Sequence, residues 1–130
     1  MPSSLSDSDR CPCLSGETFG ACCAPIHRGE ANAPTAERLM RSRFSAFAVG
    51  DRDYLLRSWH PKARPDALDL DAGLRWYRLD ILSTSRGGPL DVDGIVEFRA
   101  FYRSADGRGD QHEVSRFVRE GRTWFYVDAV

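Results

Sequence analysis

The sequence predicts an α+β fold in which helices come first, an antiparallel meander follows, and the sheet wraps the longest helix. Apolar residues recur at helical spacing as far as Trp59, and from Leu74 onward they alternate with a period of two. A length of 130 residues allows one domain with a real core plus a small appendage, but not two ordinary domains.

Taken in order, residues 1–10 are Ser/Asp-rich and expected to be mobile, and Cys11 to Cys23 form a cysteine segment. APIHRGEANAP reads as a Pro/Gly/Asn connector without periodicity. Residues 1–30 thus form a flexible start, a metal knuckle and a linker, and residues 31–130 the α+β domain. Thr35 can N-cap a helix carrying Leu39, Met40, Phe44, Phe47 and Ala48 on one face, with Gly50 as its stop. Asp51 can cap a second helix, Arg52 to Trp59, before Pro61 breaks the run. Residues 63–72 are assigned to a loop.

Four strands are predicted, in LRWYRLDIL, GIVEFRAFYR, HEVSRFVRE and RTWFYVDA. SRGGPLDVDG and SADGRGD join the first three, and Glu120-Gly121 is short enough for a tight hairpin between the last two.

Composition narrows the function classes. With 42% apolar and 28% charged residues the chain is globular rather than disordered, and no window is apolar enough to cross a bilayer, so no membrane partner is expected. A net charge of −1 excludes a whole-molecule field that would concentrate the protein on nucleic acid. MPSSLSDSDR has neither a positive start nor an apolar stretch, so a cytoplasmic location is expected.

In a reducing compartment, four cysteines within thirteen residues read as metal ligands rather than disulfides. Cys11, Cys13, Cys22 and Cys23 follow the spacing C-x-C-x8-C-C, with Gly16 and Gly20 letting the chain reverse so that both pairs of sulfurs converge. Zn²⁺ suits four soft thiolates in a tetrahedron, and a closed set of four makes the site structural, one ion per chain. His27 is a rival fourth ligand to Cys23.

CPCLSGETFGACC resembles the SEC-C motif, a zinc-binding segment first described at the C-terminus of the SecA translocation ATPase, whose usual form begins CPCGSG. Leu14 stands where that pattern has glycine, and all four ligand positions are intact. The stretches PIHRGEANAPTAERLMRSRFSAFAVGDRDYLLRSWHP, VEFRAFY and HEVSRFVREGRTWFYVDA resemble the YchJ-like family of small, mostly bacterial proteins. That resemblance implies a cystatin-like, nuclear-transport-factor-two-like cone, a curved antiparallel sheet around a helix. It implies no activity.

Within the cone, alternation turns Val96, Phe98, Ala100 and Tyr102 inward and Glu97 and Arg99 outward. It also turns Phe117, Glu113 and Ser115 inward and His112 and Arg116 outward. Trp124, Tyr126 and Asp128 share a face of the last strand, and Phe125 and Val127 the other. If the former face is inward, Glu113, Asp128 and Tyr126 could meet Arg43 of the long helix. There Glu113 or Asp128 would be an acid/base, and Tyr126 or Arg43 would orient a substrate. The competing reading is an ion network that merely holds helix to sheet. His60 and His112 read as surface or capping residues.

The leading functional expectation is a binding or adaptor module whose knuckle docks on a protein or ribonucleoprotein, with Arg28, Arg38, Arg41 and Arg43 available to an acidic partner. The alternative is a small enzyme or a receptor for a small polar ligand in the cone. A homodimer through the convex sheet face is a further expectation.

Overall fold

In the computed structural model, which describes residues 5–130, a single 3-10 turn (Phe19–Ala21) is followed by three helices, α1 (Cys23–His27), α2 (Ala36–Val49) and α3 (Arg52–Arg57). Strands β1 (Arg75–Arg86), β2 (Asp93–Ser104), β3 (Gly107–Glu120) and β4 (Thr123–Ala129) then form one antiparallel sheet in the order β1-β2-β3-β4. No helix among the described residues is long and apolar enough to cross a membrane.

Both ends of α2 are where the sequence puts them. The Thr35 side chain accepts a hydrogen bond from the Arg38 backbone N–H at 3.1 Å, and Gly50 ends the helix in the left-handed conformation, φ 77°. Asp51 caps α3 through the Tyr54 N–H. That helix stops at Arg57, short of Trp59, because the chain leaves to pair with β4: Tyr126 N–H donates to the Ser58 carbonyl and His60 N–H to the Tyr126 carbonyl. This pairing covers the free side of β4, an edge that would otherwise be open to other strands.

Register explains the cone. Single extra residues at Tyr77 and Leu82 of β1 and at Val127 of β4 interrupt the ladders, and such bulges bend a strand and strengthen its twist. The sheet therefore curls over α2, burying Leu79, Val96, Phe98, Ala100, Phe117 and Trp124 against Leu39, Met40 and Phe44. The start of α2 is docked on the end of β1 by Ala36 N–H donating to the Gly87 carbonyl at 2.9 Å. Glycine is required there, since a Cβ on Gly94 would come within 2.5 Å of the Gly87 Cα.

Three sequence expectations change. SADGRGD is not all loop: β3 begins at Gly107, and only Ala105 and Asp106 separate it from β2. Gly109 pairs with Tyr102, whose ring covers it so closely that no side chain would fit, which lets a Gly/Arg/Asp-rich stretch remain a strand. The connector APIHRGEANAP contains α1, whose Ile26 joins the main core together with Ala33. Finally, residues 5–10 are held rather than loose. Asp7 takes a two-pronged contact from Arg28, Arg10 forms a bridge with Thr18, and Leu5 packs on the cysteine cluster. The rest of that expectation, for residues 1–4, falls outside the described residues.

Candidate metal centre and cone cavity

The cysteine segment folds back so that Cys11 and Cys13 meet Cys22 and Cys23 at the start of α1. The four sulfurs all lie within 4.8 Å of one another, with Cys13–Cys22 at 3.7 Å and Cys22–Cys23 at 4.0 Å. A tetrahedron with metal–sulfur bonds of about 2.3 Å has edges of about 3.8 Å, so the sulfurs are spaced as ligands of a single ion. All four cysteines are buried and none is in a disulfide. Residue 14 shows why the motif has glycine: Leu14 adopts φ 63°, the left-handed region, and stays 47% exposed.

This cluster rests on the inner end of the domain rather than hanging from it. Cys11 Sγ is 3.5 Å from Ser45 Oγ, and Arg41 donates to the Cys13 carbonyl at 2.8 Å. Arg38 donates to the sulfurs of Cys22 and Cys23 at 3.2 and 3.4 Å, and Ser15 Oγ lies 3.1 Å from Cys22 Sγ. Helix α2 is thus buried on two sides, by the sheet and by the cysteine segment, which accounts for its buried Ser45, while Ser42 is covered by Tyr54 and His27.

Crowding and burial of the sulfurs set their electrostatics. Contacts with the Cys13 and Cys23 sulfurs lower the pKa of Cys11, whereas contacts with Cys11 and Cys13, and burial, raise that of Cys23. Burial raises that of Cys22 in spite of Ser15. A bound divalent ion would lift the penalty that burial places on the Cys22 and Cys23 thiolates. Burial opposes the charge of Arg38, yet its sulfur partners hold its pKa above the ordinary arginine value.

His27 is no ligand. Its Nε2 is 2.7 Å from the Ser42 carbonyl oxygen and its ring packs on Phe19 and Tyr54. The four arginines expected to face an acidic partner are also engaged internally. Arg28 pairs with Asp7, Arg38 with the sulfurs, Arg41 with Glu37 and Cys13, and Arg43 is inside the cone.

Between α2 and the sheet lies a cavity of about 220 Å³, lined by Arg43, Glu113, Gln111, Tyr126 and a surround of apolar and aromatic side chains. Arg43, Glu113 and Tyr126 are therefore brought together as the alternation suggests. Tyr126 joins them: its hydroxyl donates to Glu113 at 3.1 Å, and its ring centroid lies 4.5 Å from the Arg43 guanidinium. Glu113 also accepts from Gln111 and Ser115. Burial and the Glu113 charge raise the Tyr126 pKa. Burial lowers that of Arg43 to about 10.

Asp128 does not line the cone. The extra residue at Val127 resets the alternation, so Tyr126 stays inward while Asp128 pairs across from Arg116 and binds it on the exposed face, at 2.6 and 2.7 Å. Arg116 lowers the Asp128 pKa. The same outer face holds His112 against Glu97, while His60 contacts Glu120. Arg38 was expected at an acidic partner, and its place on the cysteine sulfurs carries no sequence signal because it depends on docking a remote segment. Nor did sequence reasoning find Leu68, which reaches the cavity from the aperiodic stretch 63–72.

Comparison with known proteins agrees with both halves of this architecture. The family model for the YchJ middle NTF2-like domain matches residues 35–129, and the SEC-C motif matches residues 8–25. A UPF0225 protein of Corynebacterium glutamicum is 54% identical over 117 residues, covering 90% of this chain and 93% of its own. A Streptomyces coelicolor UPF0225 protein is 52% identical over 118 residues, covering 91% and 92%. The solution structure of a SEC-C motif containing protein from Rhodopseudomonas palustris is similar with a TM-score of 0.80 at 31% identity, covering 92% of this chain and 96% of that one. A crystal structure of such a protein from Psychrobacter arcticus gives 0.76 at 28%, covering 94% and 82%.

Proposed function

The chain belongs to the YchJ family, with a SEC-C motif and a middle NTF2-like domain, and on that premise we propose that it is a zinc-clamped docking module. Four buried thiolates at tetrahedral spacing suit Zn²⁺ over the harder divalent ions, which prefer oxygen. Bound there, zinc supplies a cross-link and two positive charges. With four protein ligands it keeps no open position, so it polarises no substrate.

The observation that carries the docking reading is Leu14. It is a half-exposed apolar side chain held in the left-handed backbone conformation, outside both buried clusters, at the tip of the metal loop. A left-handed conformation costs a non-glycine residue on the order of 1–2 kcal/mol, and such outliers cluster at functional sites. Arg38, Arg41 and Arg43 are committed within the chain, which favours a protein surface over RNA as the partner.

Tagged wild-type protein, Leu14→Gly and Leu14→Asp, each with zinc content checked, would be used to isolate partners from cells. Partners lost from both variants while zinc is retained support the reading. The same partners recovered with Leu14→Asp contradict it.

A further inference from the structure

Arg43, 3% exposed, carries a buried charge that no carboxylate pairs with among the described residues. Among the described residues its hydrogen bonds leave from Nη1, to the Leu55 carbonyl and Ser58 Oγ at 2.8 and 2.6 Å. The rings of Tyr126 and Trp59 flank the guanidinium at 4.5 and 5.3 Å. No side-chain nitrogen sealed in the described interior lacks a partner, so the unengaged Nε and Nη2 are the part of Arg43 that borders the cavity it lines. A buried charge without a counter-ion is costly, and here its free donors face open space.

The opposite wall sets a limit on what could enter. Glu113 already accepts from Gln111, Ser115 and Tyr126, and it stands one tyrosine away from the guanidinium. A second negative charge on a ligand would meet it. Most of the remaining wall is apolar or aromatic, including Phe47, Leu68 and Trp76. A volume of about 220 Å³ lies just below the usual range for ligand sites of about 300–1,000 Å³, so only a small ligand fits.

We infer that the cone is a receptor for a small organic monocarboxylate, its carboxylate on the free donors of Arg43 and its apolar body among Phe47, Leu68 and Trp76. This reading is independent of what the metal loop docks on. With a pKa of about 10, Arg43 is charged at neutral pH and available to the anion. Dianions such as dicarboxylates are disfavoured by Glu113.

The test is titration of the zinc-loaded, full-length protein with benzoate, cyclohexanecarboxylate, benzamide and phthalate, followed by the indole signals of Trp59 and Trp76. The two monocarboxylates should bind saturably, with neutral benzamide and the dianion phthalate weaker by about tenfold or more. Arg43→Met, which removes the unpaired charge while keeping the bulk, should retain zinc and fold while losing benzoate. Equal binding of benzoate and benzamide to the wild type would overturn the proposal, whatever the variant does. So would undiminished benzoate binding by a folded Arg43→Met, or no saturable binding of either monocarboxylate.

Discussion

Arg38, three residues into α2, donates from its two terminal nitrogens to the sulfurs of Cys22 and Cys23, at 3.2 and 3.4 Å. A tetrathiolate around a divalent ion carries excess negative charge, and Arg38 offsets part of it while tying the cysteine segment to the helix.

Arg38→Met should therefore weaken metal retention without removing a ligand. Partners of this outer kind are typically worth about 10–100-fold in metal affinity. Competition with a chromophoric chelator measures it, and Arg38→Lys should recover only part of the loss, because a single ammonium cannot reach both sulfurs in the same way.

Acid sensitivity should follow His27. Burial lowers its pKa below the ordinary value despite the Ser42 carbonyl and Asp51, so the unfolded chain binds the proton more readily than the folded one. Stability from this group is then full above about pH 6.5 and is lost as pH falls from there toward the lowered folded value. Chemical denaturation from pH 7.5 to 5.5, with zinc content monitored, should show this slope in the wild type and a shallower one in His27→Gln.

Phe44 joins the two layers, packing from α2 into the cone with an edge-on contact to Trp76. Phe44→Ala should cost about 3–5 kcal/mol by denaturant unfolding, the range for deleting a buried aromatic side chain. The same substitution enlarges the cavity, so benzoate affinity should change with it.

Asp128→Asn should leave both thermal stability and benzoate binding close to wild type, since the carboxylate lies on the exposed face with Arg116. Glu113→Gln, by contrast, should alter the preference between benzoate and phthalate by relieving the repulsion of the dianion. Titration of both variants with the two ligands separates the inward carboxylate from the outward one.

Much of the fold was legible because its signals are local. Thr35 and Gly50 mark α2 by their chemistry alone, and alternation around Phe98 and Phe117 locates the inner face of the sheet. The cysteine spacing likewise identifies the four sulfurs that converge, and the SEC-C and YchJ resemblances agree with the family matches. What escaped depends on long-range packing. One residue, Val127, reverses the side on which Asp128 lies, and nothing in TWFYVDA shows a bulge. Ser45 carries no periodic signal because Cys11 of the docked cysteine segment covers it, and Ile26 carries none because its short helix α1 joins the main core by tertiary packing.

Zinc binding by the four cysteines is decided by elemental mass spectrometry on protein purified without added metal, paired with a thiol titration before and after chelation. About one zinc per chain is expected, with four thiols that react only once the metal is removed. Protein without zinc, its cysteines freely reactive or joined in disulfides, would contradict zinc binding and turn the cluster into a thiol redox site.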